Sequence, residues 1–279
     1  TLRLAEHFDV PVINADSRQI FSEIPIGTAA PTAAQQARVR HYFVGNHHLD
    51  DYYSASLFEE DVLKLINESS SKVSLLSGGS MMYIDAVCKG IDDIPTIRQE
   101  VRQEMMQLLE SEGLEKMCEL LHEWDPEHWA VVDRNNPRRV IHALEICKQT
   151  GRTYTSFRSN TIKERPFNII KIGLNRDRET LYQRINQRVL QMIDDGMIEE
   201  AQCVYPKRTL NSLNTVGYKE LFEYLDGLTT LDEAIFKIQS NTRRYARKQL
   251  TWYKRDAEMT WFSPDNIEEI LNYLSTISL

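Results

Sequence analysis

The sequence is short of several things that would have fixed its class at once. Its four cysteines, Cys88, Cys118, Cys147 and Cys203, stand far apart and form no C-x-x-C pair. That argues against a disulfide framework or a cysteine-based metal site, and for buried thiols in a reducing, cytoplasmic setting. No apolar run approaches the roughly 20 residues that a membrane span requires, and no signal-like segment is visible. The formal net charge is −8, which excludes a basic coat over the whole surface but leaves room for a local basic patch. Internal repeats and low-complexity tracts are absent. His47-His48 with Asp50 and Asp51 gathers metal-binding residue types, but no second ligand pair follows at useful spacing, so the stretch reads as a solvated loop. With 279 residues, 42% of them hydrophobic, the chain can bury one good core and a smaller second one.

The most informative stretch lies near the start. Val10, Val12, Ile13 and Ala15 form the short apolar run of a parallel strand covered on both faces. The run ends in Asp16. Ligands of open α/β sheets bind at the carboxyl ends of strands, so Asp16 is either a working carboxylate or an N-cap. Leu2, Leu4, Ala5 and Phe8 repeat at helical spacing before this strand. A helix feeding a parallel strand implies a preceding strand, with any phosphate-binding glycines just ahead of Thr1.

Farther along, the pattern predicts a helix near Ser54–Asn67, a buried strand over Lys72–Ser77 and a helix over Met81–Lys89. Gly78-Gly79-Ser80 joins the last two, an anion-friendly turn or simply a tight strand-to-helix packing. From 97 to 151 the periodicity is helical throughout. Val101, Met105, Leu108 and Leu109 form one stripe, and Leu114, Met117, Leu120 and Leu121 form another. Asp125-Pro126 and Asn136-Pro137 mark helix starts. The sheet resumes over Phe167–Leu174, with Ile169, Ile170 and Ile172 as core, and everything after it reads as helix: 178 to about 204, 217–225, 231–255 and a tail near 267–274. Three regions follow: residues 1–96, the first part of an α/β core; 97–151, a helical insertion; and 152–279, the last core strand and the C-terminal helices.

Four constellations carry chemistry. Arg184 and Arg188 share one helix face beside the apolar line Leu181, Ile185, Val189 and Met192. They suit a bidentate phosphate clamp, or an ordinary ion-pair surface with Glu179. Arg138-Arg139, with His142 one turn on, sit at a helix start, as a phosphate site or a solvated basic turn. Arg243–Arg255 places Arg244, Lys248, Thr251 and Arg255 on one stripe, with Arg243, Arg247 and Lys254 alongside and Tyr245, Trp252 and Tyr253 interleaved. On an acidic chain that is the footprint expected for RNA phosphates and stacked bases, or a charged face with a buried aromatic edge. Asn214-Thr215-Val216-Gly217-Tyr218-Lys219-Glu220 is a helix entry, or a loop whose backbone reads a nucleotide.

Taken together these pieces resemble the tRNA dimethylallyltransferases, the isopentenyl transferases of tRNA. The resemblance runs through Asp16-Ser17-x-Gln19-Ile20, Ile26-Gly27-Thr28-Ala29, Tyr53-Ser54-Ala55, Gly78-Gly79-Ser80-Met81-Met82-Tyr83, Asn136-Pro137-x-Arg139, Gln183-Arg184-Ile185-x-x-Arg188, Val216-Gly217-Tyr218 and Arg247-Lys248-Gln249-Leu250-Thr251-Trp252. It implies a P-loop NTPase-like α/β parallel-sheet core whose helical insertion clamps the anticodon stem-loop. It also implies transfer of a dimethylallyl group from dimethylallyl diphosphate to N6 of the adenosine 3′ of the anticodon, with Mg2+. On this resemblance Asp16 is the general base and Arg188, with Arg184, holds the diphosphate. The tRNA contacts are Asp16, Ser17, Arg18, Gln19, Ser80, Arg102, Arg138, Arg139, His142, Thr215, Val216, Gly217, Tyr218, Lys219, Arg247, Lys248, Gln249, Thr251, Trp252 and Lys254. Departures are Ala30, where the family commonly has lysine, and Ser80, where threonine is common. No obligate protein partner and no membrane are expected.

Three rivals share parts of this pattern. An isopentenyltransferase of free adenine nucleotides has no use for the clamp. A P-loop kinase of small metabolites would take ATP as group donor. A non-catalytic RNA-binding protein would show no dependence on Asp16.

Overall fold

The computed structural model describes residues 1–159 and 161–277. The chain forms two compact units, Thr1–Cys88 with Arg165–Leu279, and Lys89–Glu164.

In the first unit α1 (Leu2–Phe8) leads into β1 (Val12–Asn14), followed by α2 (Ala33–Arg38), β2 (His41–Tyr42), α3 (Ala55–Glu68), β3 (Leu75–Ser77) and α4 (Met81–Lys89). The strands form a parallel sheet in the order β2-β1-β3, with Val12 opposite His41 and Leu75, and Asn14 opposite Ser77. All three β1 residues are buried. Val12 packs with Ala5 and Val39, and Ile13 and Ala15 pack with Phe58, Val62, Tyr83 and Val87. The apolar run therefore serves two clusters at once. Each fully buried side chain of the size of Phe58 is worth about 1.5–3 kcal/mol.

The helical unit holds α5 (Gln99–Trp124), α6 (Pro126–Val131) and α7 (Pro137–Thr150). Gly113, at φ +81°, breaks α5 internally, which is why two separate apolar stripes appear in its sequence. Met105, Met117, Leu121, Val140, Ile141 and Leu144 make its core. Asp125, 1% exposed, caps α6 by accepting the His128 N–H at 3.0 Å, and also accepts the Thr155 N–H and hydroxyl, each at 2.8 Å. Asn136 caps α7 with Pro137 in its first turn. The compact unit spans 89–164 and so extends past 97–151 at both ends.

The chain then returns through β4 (Ile172–Leu174), α8 (Arg178–Asp194), α9 (Met197–Val204), α10 (Tyr218–Leu225), α11 (Leu231–Tyr253), β5 (Thr260–Phe262) and α12 (Ile267–Ser275). Contrary to its sequence pattern, the region after β4 is not all helix. Thr260–Phe262 pairs in parallel with Ile172–Leu174, a long-range pairing that local pattern does not signal. Only the last three residues of the stretches 72–77 and 167–174 are strand, and Ile169 is 37% exposed. The helix expected over 178–204 is two helices, parted at Gly196, whose φ of +101° no β-carbon tolerates well. None of the four cysteines is in a disulfide, but only Cys147 is buried and Cys203 is exposed. Among the described residues no three His, Cys, Asp or Glu side chains converge on a metal position, and His47 packs at a tilt against Tyr53, the ring centroids 4.2 Å apart.

Candidate active site

Asp16 stands just beyond β1, and the turn after β3 holds it there. The Ala15 N–H donates to the Ser77 carbonyl at 2.8 Å, and the Ser80 N–H donates to the Ala15 carbonyl at 3.1 Å. Gly78 lies so close that a β-carbon on it would meet the Ala15 Cα at 2.8 Å and press into the Ala15 carbonyl, so this glycine serves close approach. Ser80 is 8% exposed. Its Oγ accepts the Ser17 N–H at 2.8 Å and donates to the Ser17 hydroxyl at 3.1 Å.

The carboxylate itself is asymmetric. Oδ1 accepts the Arg18 N–H at 2.8 Å and the Gln19 N–H at 3.3 Å, while Oδ2 accepts no hydrogen bond from the described residues. Burial pushes the Asp16 carboxyl above the ordinary range. The two N–H bonds and the charges of Arg18 and Arg188 pull against it. Tyr83 on α4 and Tyr245 on α11 also feel its charge, and both phenols are raised, chiefly by burial. One oxygen thus closes the turn, and the other carries no hydrogen bond among the described residues. Gln19 looks the other way, donating from Nε2 to the Thr28 carbonyl at 2.9 Å and the Ala29 carbonyl at 3.1 Å.

Arg184 and Arg188 are exposed on α8 and line a cavity of about 420 Å³ with Leu181, Ile185, Gln187 and Gln191. Neither forms an ion pair among the described residues, so the Glu179 partnership does not appear. Arg188's charge reaches Asp16. Arg184's reaches Asp265, which Arg176 grips with both guanidinium nitrogens.

The basic helix α11 is split between anchoring and exposure. Trp252 donates its indole N–H to Asp85 at 2.9 Å, and Gln249 donates to the Gly79 carbonyl at 2.9 Å. Arg243 donates to Asn186 at 2.6 Å. The Gln249 and Trp252 polar groups, read from sequence as RNA contacts, thus fasten α11 to the turn at Gly79 and to α4. Arg244, Arg247, Lys248, Thr251, Lys254 and Arg255 remain exposed.

At the entry to α10, Thr215 and Val216 are half-buried and Lys219 is exposed. Gly217, at φ +103°, gives its N–H to Glu220 at 2.7 Å. Tyr218 is 0% exposed, and its hydroxyl donates to Glu200. Neither Gly217 nor Tyr218 lies on the surface that the sequence assigned to RNA. Their work is internal.

In the helical unit, buried Glu145 lies 3.5 Å from Arg102 and 3.6 Å from His142. Arg138 and Arg139 are exposed in the first turn of α7. Sequence reasoning missed Glu145 and Glu200. Glu200 looks like any acidic residue in a helix's first turn, and Glu145 like a surface charge.

Parallel sheets of this kind carry their ligands where Asp16 stands, and the arrangement is that of an α/β enzyme. The chain belongs to the IPP transferase family, whose model matches residues 19–256. It is 58% identical over 281 residues to tRNA dimethylallyltransferase 1 of Phocaeicola vulgatus, covering 100% of this chain and 93% of that protein. Among solved structures it is similar to the full-length tRNA isopentenylpyrophosphate transferase of Bacillus halodurans. There the TM-score is 0.69 at 35% identity, over 99% of this chain and 90% of the other. A eukaryotic dimethylallyltransferase acting on tRNA shares the fold at TM-score 0.75 and 22% identity, over 94% of this chain and 69% of that one.

Proposed function

We propose that this protein transfers the dimethylallyl group of dimethylallyl diphosphate to N6 of adenosine 37 of tRNA, releasing diphosphate. The observation that carries the reading is the divided Asp16 carboxylate, fixed through Oδ1 and open at Oδ2, with Arg188 acting on it.

An exocyclic adenine amine is a poor nucleophile because its lone pair is delocalised into the ring. As N6 bonds to the allylic carbon, Asp16 Oδ2 takes the amine proton. The carbon–oxygen bond to diphosphate breaks, and its electron pair leaves with the diphosphate. Arg188, with Arg184 on the same cavity wall, stabilises that growing negative charge. The adenine must leave its stack to reach Asp16, at a cost of order a few kcal/mol. The exposed cations of α11, with Ser17, Arg18, Thr215 and Lys219, and in the helical unit Arg102, Arg138, Arg139 and His142, supply phosphate contacts that offset it. The unit 89–164 is, on this reading, the anticodon-stem clamp.

A divalent cation, Mg2+, fits as a companion of the donor. Mg2+ keeps several waters and takes substrate phosphates in place of an all-protein cage, and the described residues build no such cage. It would neutralise diphosphate charge. No helix of the described residues is long and apolar enough to cross a membrane, and we place the protein with its tRNA in the cytoplasm.

The test is to incubate the protein with unmodified tRNA, Mg2+ and labelled dimethylallyl diphosphate, then analyse the digested nucleosides by mass spectrometry. Transfer to the adenosine beside the anticodon, lost in Asp16→Ala, is expected. Transfer to free AMP alone would overturn the tRNA reading. Transfer to neither would overturn the enzyme reading.

A further inference from the structure

The segment Ile24–Ala30 is held more firmly than a surface turn of its length requires. Ala29 sits at φ +52° without being glycine. The Ala29 N–H donates to the Ile26 carbonyl at 2.9 Å, and the Ala30 N–H to the Pro25 carbonyl at 2.9 Å. The Thr28 hydroxyl donates to the Ile24 carbonyl at 2.7 Å. A non-glycine residue in the left-handed region is strained and persists where surrounding contacts over-determine it. Two side chains from distant parts of the sequence supply those contacts.

From one side Glu200, in the first turn of α9, accepts the Ile26 N–H on Oε2 and the Gly27 N–H on Oε1, both at 2.8 Å. Oε1 also accepts the hydroxyl of the fully buried Tyr218. Gly27 is needed here, since a β-carbon would meet the Tyr218 ring and Met197 Cε at 2.7 and 2.8 Å. From the other side Gln19 donates to the Thr28 and Ala29 carbonyls. Its own N–H goes to Asp16 Oδ1. A continuous path of hydrogen bonds thus runs from Tyr218, at the start of α10, through Glu200, the turn and Gln19 to Asp16.

We infer that Glu200, with Tyr218, is a positioning residue for the transfer reaction: it fixes the Ile26–Ala29 turn so that Gln19 holds Asp16 Oδ1 and leaves Oδ2 aimed at the substrate. This rests on the dimethylallyl-transfer reading. The contacts of Glu200 are to the Ile26 and Gly27 N–H groups and the Tyr218 hydroxyl. Its effect travels through the turn, and because Tyr218 follows Thr215–Gly217 directly, the same carboxylate ties the neighbourhood of Lys219 to Asp16.

The experiment compares Glu200→Ala, Glu200→Gln and Tyr218→Phe with the wild-type chain, and with Leu274→Ala, a core truncation in the α12 cluster matched for loss of Tm. Displacing catalytic groups through a remote change costs up to about 10²-fold, and a fall in kcat of about that size is expected for Glu200→Ala, with tRNA Kd unchanged. Glu200→Gln should restore part of it, because one amide oxygen can still take the Gly27 N–H. As Gln19's N–H drifts from Asp16, the acid limb of the kcat profile should move to higher pH. The groups facing Asp16 are Arg18 on its own turn, Arg188 from α8, Tyr83 from α4 and Tyr245 from α11. All are retained in these variants. Hydrogen exchange at the Arg18 and Gln19 amides should quicken in Glu200→Ala and not in Leu274→Ala.

An unmoved acid limb and wild-type kcat in folded Glu200→Ala would overturn the inference. So would a change confined to tRNA Kd, or unchanged exchange at Arg18 and Gln19. Should Glu200→Ala fail to fold, Tyr218→Phe, which removes only the hydroxyl, decides on the same readings. The exchange measurement needs no substrate, so an inactive wild type would sink the transfer reading while the linkage itself is still judged.

Discussion

In the α/β unit Asp16 is held by two backbone N–H groups on a turn that is itself bonded to a neighbouring strand. In the helical unit Arg138 and Arg139 are exposed on the first turn of a helix, and Arg102 and His142 lie beside the buried carboxylate of Glu145. The contrast follows the tasks proposed for each. A proton-accepting oxygen must be placed to a fraction of an ångström, and backbone amides at a strand end achieve that because strand and turn are already ordered. A phosphate backbone is matched by long side chains that adjust, at a small energy per contact.

The comparison breaks first at Asp16. Asp16→Ala should lower kcat by about 10²–10⁴-fold, the range for a lost general base, with tRNA Kd hardly changed. Single-turnover kinetics and filter binding check the two halves separately, and normal turnover would end the assignment. Next comes Arg188→Ala, which should cost about 10²–10³-fold in kcat, as loss of a donor at a developing negative charge does. It should also shift the acid limb. Arg188 lowers the Asp16 pKa against the rise that burial imposes, so its removal lets that pKa climb. The active, deprotonated form then begins to fill only at higher pH, which a kcat/KM profile from acid to neutral pH reads directly.

On the helical side the large effect should be on stability. Asp125→Ala leaves the Thr155 N–H and the α6 N-terminus without their acceptor and should cost about 1–3 kcal/mol, the desolvation cost of a buried group left unmatched. Denaturant unfolding followed by tryptophan fluorescence measures it. The smallest effect sharpens the contrast most. Arg138→Ala should weaken tRNA binding only a few-fold, reduce the salt slope of log K by about one and leave kcat at saturating tRNA unchanged. A kcat loss there as large as that of Asp16→Ala would erase the distinction between the units.

Much of the site was legible because its signals are local. Asp16 follows an apolar run that announces a buried strand, Gly78 lies where the backbone must pass close, and Asn136-Pro137 caps a helix by its own side chain. The basic stretch 243–255 was equally visible, but its division was not. Which of its residues face solvent depends on where Gly79, Asp85 and Asn186 lie, and those are remote in sequence. Tyr218 shows the same limit: its place in the Val216-Gly217-Tyr218 motif pointed to a surface contact, whereas the structure buries it against Glu200.

The residues themselves carried the longer helices, the strand that leads to Asp16 and the chemical types at their ends, since periodicity and side-chain caps act within a few residues. The tertiary structure alone decided that Thr260–Phe262 is a strand beside Ile172–Leu174, that Gln249 and Trp252 anchor α11, and that Glu200 completes the turn beside Asp16. Each of these joins groups distant in the chain, so each exists only once the core has brought them within hydrogen-bonding distance.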